Sequence, residues 1–266
     1  RMGLDGREAF VRDMRTASAA GALLIPLYPF DTLREFGAPA PATWQMRPNQ
    51  PIPGKGGAAR KYIFRSGVSI PIDVHPAVPP SWLDMPAQVF VTEGTLKADS
   101  AFSAWMIDSG IATPDELAQV DAPFERLRRI LEEVDPTDRT VVLSIAGVAN
   151  WHSSPEWNTL RMKGSTVYVA FDGDAATNPA VWRQASQLWE FIERRHGLPR
   201  YVRLDDADDA KIGVDDFLVG GGTWQDLTLH NATEGLPPQP MGHVSASKGE
   251  WRCDLDKRET LEYVPT

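Results

Sequence analysis

Three carboxylates stand where strand-like segments run out. Glu93 closes the β-branched and aromatic run Gln88-Val89-Phe90-Val91-Thr92, and Asp172 and Asp174 flank Gly173 directly after the run from Thr166 to Phe171. In an open parallel sheet, ligands bind outside the carboxyl ends of the strands. Carboxylates gathered there repel one another unless a proton or a cation relieves the cost. Hard oxygen ligands at such a position suit Mg2+ or Mn2+, with waters and substrate phosphates completing the shell. Taken singly, each has a plainer use: an aspartate after a strand serves as a turn residue or a helix cap, and Glu93 alone reads as a cap or a surface ion pair. Read together, the three favour a metal site. Lys97 follows Glu93 on the first turns of the next helix, where it either reaches over the site toward a phosphate or solvates the helix.

A second group of residues has a different chemistry. Arg47, Arg60, Lys61 and Arg65 alternate with Trp44, Tyr62 and Phe64. Cations interleaved with aromatic rings suit a single strand, phosphates meeting the charges and bases stacking on the rings. The same alternation also describes strands whose rings pack inward while their charges face water. Gly54, Gly56 and Gly57 around Lys55 lack the spacing and the Lys-Ser/Thr ending of a Walker A loop. His75, before Pro76, reads as structural, and Trp151 and Trp157 read as packing groups. Asp205, Asp206, Asp208 and Asp209 read as a solvated loop.

The elements that must position these groups are legible in outline. Residues 2–22 read as a short helical opening, followed by strands at 22–28, 44–47, 61–64 and 69–74, separated by Pro- and Gly-rich turns. From Ala87 onward the rhythm is strand, helix, strand, strand, helix, strand, which predicts a mostly parallel four-stranded sheet with flanking helices. Strands are expected at 89–92, 140–145, 166–171 and 201–204, and helices at 96–109, within 114–134, and from Pro179 to His196. The fold class is therefore α/β with a small β-rich amino-terminal lobe: a lobe over 1–86, a parallel α/β domain over 87–222 and an extension or arm over 223–266. Residues 231–247 read as loop, and 249–264 as a terminal hairpin or arm.

The chain has 266 residues, enough for a large core, and a formal net charge of −9, which argues against a protein that coats duplex DNA. The single cysteine, Cys253, excludes an intrachain disulfide framework and a cysteine-based metal cluster. Stretches of about 18 apolar residues are missing, so no membrane is expected, and Arg1 reads as a trimmed start. A reducing, cytoplasmic setting fits.

Val89-Phe90-Val91-Thr92-Glu93-Gly94 followed by Val169-Ala170-Phe171-Asp172-Gly173-Asp174 resembles the Toprim domain of bacterial-type primases, topoisomerases and related nucleases. The chain is more closely similar to the primase-like Toprim proteins of phages and plasmids. It shares the segment Glu93-Gly94-Thr95-Leu96-Lys97-Ala98, Gly147 with Asn150-Trp151, and Lys211-Ile212-Gly213-Val214-Asp215-Asp216-Phe217-Leu218. The amino-terminal lobe resembles the same family through Trp44-Gln45-Met46-Arg47-Pro48 and Lys61-Tyr62.

The resemblance implies Mg2+- or Mn2+-dependent nucleotidyl transfer on single-stranded DNA during phage or plasmid replication, with nucleoside triphosphates as substrates. Glu93 would be the general base or a metal-orienting carboxylate, and Asp172 and Asp174 the main ligands. Asp215 or Asp216 would hold a second cation beside them, although this pair also makes a good helix cap. Lys97 would be part of the catalytic site and Lys211 a nucleic-acid contact that offsets the acidic pair. Two cations there would activate the attacking 3′-oxygen and stabilise the leaving phosphate. A replicative helicase is the implied partner and the bacterial host cytoplasm the implied location. No template-recognising zinc ribbon and no helicase P-loop is found in the sequence, which leaves a Toprim nuclease and a non-catalytic nucleic-acid-binding or replisome-interaction module as alternatives.

Overall fold

The computed structural model describes residues 21–31, 33, 41–53, 59–64, 69–118, 124–204, 212–240, 250–252 and 262–264. The Asp174 side chain, Arg65, Lys211, the aspartates of 205–209, Cys253 and the helical opening at 2–20 lie outside the described residues.

The amino-terminal part is antiparallel. Strands β1 (Ala22–Leu27) and β2 (Thr43–Pro48) pair with Leu24 opposite Met46, β3 (Ile52–Pro53) pairs with β4 (Ala59–Arg60), and β5 (Ile63–Phe64) adds to the free side of β2. Ile25, Leu27 and Met46 are buried, while Arg47 projects outward.

The main sheet has six strands, four of them parallel. Strand β6 (Asp73–Val74) forms one edge, antiparallel to β8 (Thr140–Ile145). Strand β7 (Gln88–Glu93) lies between β8 and β9 (Thr166–Ala170), parallel to both. Strand β10 (Leu198–Val202) continues the parallel set beside β9, and β11 (Ala232–Thr233) closes the far edge antiparallel to it. Valines and other β-branched or aromatic residues fill β7, β8 and β9, and nearly all are buried, as expected for strands covered on both faces.

Helix α1 (Thr95–Asp108) packs over β8 and β7 through Ala98, Ala101, Phe102, Trp105 and Met106. The short α2 (Pro114–Ala118) and α3 (Phe124–Glu132) lead into β8. Helix α4 (Pro179–Arg194) packs on β10 and β9 through Ala185, Leu188 and Ile192. Its start follows from two local features: Asn178 Oδ1 accepts the Ala180 N–H at 3.1 Å, and Pro179 occupies the first turn. Helix α5 (Val214–Val219) packs against α1. A carboxyl-terminal pair, β12 (Glu250–Arg252) and β13 (Glu262–Val264), is antiparallel, as a hairpin requires.

Three expectations need correction. The run from Ser69 to Val74 contributes only Asp73–Val74 to a ladder, because Pro71 has no N–H to donate. The last parallel strand starts at Leu198 rather than Tyr201. Pro199 is tolerated there because β11 pairs only with Tyr201 and Val202, so nothing needs its missing N–H on that side. Within the region read as loop, Ala232–Thr233 forms β11, with Arg203 N–H donating to Asn231 O at 2.9 Å alongside. Elements before residue 86 and after residue 222 thus both join the sheet of the central region.

Candidate functional site

Glu93 is the last residue of β7, and the chain turns sharply after it. Gly94 has φ +94° and donates its N–H to Ile145 O at 3.0 Å, which ties the turn to the end of β8. The Glu93 carboxylate extends toward the turn after β8: a Cβ on Gly147 would stand 4.0 Å from Glu93 Oε1 and 3.4 Å from Asn150 Nδ2. Asn150 in turn donates from Nδ2 to Ala146 O at 2.9 Å, so the glycine and the asparagine shape the rim beside Glu93.

Asp172 follows β9 and is buried next to the fully buried Phe171. Because β7 and β9 are parallel neighbours with Thr92 opposite Ala170, Glu93 and Asp172 leave the sheet from adjacent strand ends. The turn after Asp172 is packed on backbone. Gly173 donates its N–H to Ile212 O at 3.0 Å, and a Cβ there would meet Leu204 O at 2.9 Å, so a side chain would push the two segments apart.

Lys97 reaches from α1 to this turn, and its ammonium donates to Asp172 Oδ1 in a close ion pair. The same ammonium lies beside the start of α5. A Cβ on Gly213 would stand 2.7 Å from Lys97 Cε, 3.0 Å from Lys97 Nζ and 2.7 Å from Asp215 Oδ1. Asp215 Oδ1 is buried and has no hydrogen-bond partner among the described residues. Asp216 is used differently: its Oδ2 accepts the Gly213 N–H at 3.1 Å, which caps the helix. Glu93, Lys97, Asp172 and Asp215 are thus drawn to one pole of the sheet from three distant stretches of sequence. No group of three or more His, Cys, Asp or Glu side chains is placed to hold a metal ion among the described residues.

The basic residues of the amino-terminal strands stand apart from this set. Arg47, Arg60 and Lys61 are exposed, and the Arg47 guanidinium lies over the Tyr62 ring, 5.5 Å from its centre. His75 is structural: its Nδ1 accepts the Ala77 N–H at 3.2 Å, its ring stacks on Phe102, and burial lowers its pKa to about 4. Trp151 and Trp157 are buried against Phe191. A cleft of about 570 Å³ lined by Asp84, Arg161, Lys163 and Arg195 opens near the amino-terminal end of β9, and it contains none of these carboxylates.

A buried polar row escapes sequence reasoning. Asp73 Oδ1 accepts the Tyr28 N–H at 2.6 Å, and the Thr95 hydroxyl, itself 3.4 Å from Ser144 Oγ, also bonds Asp73. Burial drives the Asp73 pKa well above the carboxylate range, with the nearby Asp99 charge adding to it; burial also raises Asp99 to about 7. The only sequence signal was an aspartate inside the apolar run Ile70-Pro71-Ile72-Asp73-Val74.

Compared with known proteins, the chain matches no family model, no curated protein and no solved structure. No helix among the described residues is long and apolar enough to cross a membrane.

Proposed function

We propose that this chain is a primase-like, Toprim-type protein that carries out Mg2+- or Mn2+-dependent nucleotidyl transfer on single-stranded DNA, using nucleoside triphosphates and working beside a replicative helicase. The observation that carries the reading is the meeting of Asp172, Lys97 and Asp215 at one pole of a largely parallel sheet, with Glu93 on the adjacent strand end. The α/β fold with its largely parallel sheet is in keeping with this reading.

The donor set suits a hard divalent ion, since every candidate ligand is a carboxylate oxygen. One feature of the site supports the fit: the Asp215 oxygen is buried without a hydrogen-bond partner among the described residues. Asp172 and Asp215 would hold the ion, and Glu93 and Asp174 are assigned to the same set from the sequence. When bound, the ion neutralises phosphate charge and lowers the pKa of an attacking hydroxyl. The residues of the chain supply the rest. Glu93 would take up or orient the proton of the 3′-hydroxyl as its oxygen bonds the α-phosphorus and pyrophosphate leaves. Phosphoryl transfer asks mainly for alignment and charge stabilisation, which a rigid sheet end provides. The exposed pair Arg47 and Tyr62, with Arg60 and Lys61, offers the strand a charged and aromatic track.

The test supplies a single-stranded template, all nucleotides and Mn2+, with and without a helicase from the same genetic element, and separates products on a denaturing gel. Extended products that fall by at least about 100-fold in Glu93→Gln are expected, in line with loss of a positioned general base. Shortened templates without extension would select the nuclease instead. Strand binding with neither product under any partner condition would leave a non-catalytic module.

A further inference from the structure

Lys97 and Asp172 form an ion pair whose side chains are only 21% and 11% exposed. Removing two charges from water to this degree is costly, and the attraction between them offsets the cost only where the geometry and the neighbouring charges favour it. Here the neighbours are acidic. Asp215 Oδ1 lies within reach of the same point in space as the Lys97 ammonium, and Glu93 leaves the adjacent strand end. Without a cation, this pole would gather carboxylates with little water to screen them.

The local packing suits such a resident cation. Gly213 has no side chain, and any Cβ there would collide with Lys97 Cε and Asp215 Oδ1 at 2.7 Å, so the glycine leaves room for the lysine stem to lie against α5. Thr95 and Ala98 are buried and fix the first turn of α1, from which Lys97 reaches the site on a four-carbon stem.

From this arrangement we infer that Lys97 is the resident counter-ion of the carboxylate site, and that a divalent cation takes up Asp172 Oδ1 only by displacing the lysine ammonium. The inference rests on the metal-dependent reading above. A lysine ammonium and a divalent ion cannot share Asp172 Oδ1, since the ion needs an oxygen at about 2.1 Å and would repel the ammonium held against it. Lys97 therefore keeps the site folded and neutralised without metal, at the expense of metal affinity. It also selects for the ion arriving with a phosphate, because a displaced ammonium then has a new anionic partner within reach of its stem.

The experiment is calorimetric titration of the full chain with Mn2+ alone, on wild type, Lys97→Met, Lys97→Gln and Asp172→Asn. The methionine keeps the length and apolar stem of lysine, and glutamine serves as the second neutral variant should methionine fail to fold. Both neutral variants are expected to bind Mn2+ about tenfold more tightly than wild type, a size ordinary for coupled binding events. Asp172→Asn is expected to bind weakly or not at all. Unchanged or weaker Mn2+ binding in folded Lys97→Met and Lys97→Gln, with wild type binding normally, overturns the displacement and leaves the metal reading standing. Absence of Mn2+ binding in wild type and variants alike overturns both.

Discussion

Asp215 and Asp216 are adjacent in sequence, yet the first turn of α5 sends the Asp216 carboxylate back to the Gly213 N–H while the Asp215 oxygen comes to lie beside the Lys97 ammonium. The two aspartates therefore answer differently to substitution. Asp216→Ala removes a cap hydrogen bond and is expected to lower stability by about 1 kcal/mol, with Mn2+ affinity unchanged. Asp215→Asn keeps the shape, removes a buried charge that has no hydrogen-bond partner among the described residues, and is expected to weaken Mn2+ binding while stability holds. Chemical denaturation and calorimetry on the two variants separate these effects. Equal loss of metal affinity in both would mean that the pair acts as a unit and that the division between cap and ligand is wrong.

At the scale of elements, the parallel strands were legible because β-branched and aromatic runs bounded by Gly, Asp or Pro have few other fates, and strand ends at Glu93 and Asp172 follow from such runs. What the sequence left open was the pairing order. The neighbourhood of β7 and β9, which sets the strand ends that carry Glu93 and Asp172 side by side, is a tertiary fact that no local pattern carries. Lys97 had two readings because helix periodicity places it near the amino-terminal turn but says nothing about the turn that meets it. The same limit applied to the basic strands. Alternation allowed either packing or strand binding, and the structure leaves Arg47 on the surface against Tyr62 while Gln45 and Met46 are buried. If β2 and the segment after β4 track a single strand, replacing Arg47, Arg60 and Lys61 by alanine should lower the slope of log affinity against log salt by about 2, at roughly 0.7 per phosphate contact. Fluorescence anisotropy across a salt series measures it, and an unchanged slope would place the strand elsewhere on the molecule.

On the scale of the whole molecule, the two sheets are joined by a carboxylate. Asp73 sits in β6 at the edge of the main sheet and accepts the N–H of Tyr28, just past the end of β1, while Val74 donates its N–H back to Tyr28 O at 3.1 Å. Thr95 and Asp99 of α1 and Ser144 of β8 close over it, so the junction, the main sheet and the helix that carries Lys97 meet at one buried acid. Burial raises Asp73 well above its ordinary range and Asp99 to about 7, which means that the folded chain favours the neutral acids. The sign follows directly: a raised carboxyl pKa contributes stability that is complete below about pH 4 and is lost as pH rises through the folded value. His75, lowered to about 4 by burial, acts in the opposite direction below about pH 6.5, where the unfolded imidazole becomes charged. Two carboxyls outweigh one imidazole, and above pH 6.5 the histidine no longer opposes them. Stability is therefore expected to fall as pH rises from about 5 to about 7, the window set by Asp99, with Asp73 acting in the same direction. The share from Asp99 is on the order of 2–3 kcal/mol, at about 1.4 kcal/mol per unit and discounted for its partial exposure to solvent. Asp99→Asn should flatten the dependence by that share, because a neutral amide in its place no longer titrates. Urea midpoints at pH 5, 6, 7 and 8 for wild type and Asp99→Asn measure both slopes. Parallel curves for the two proteins would show that Asp99 keeps its charge in the folded chain, and a wild-type midpoint that rises toward pH 8 would show the junction to be held by ionised rather than neutral acids.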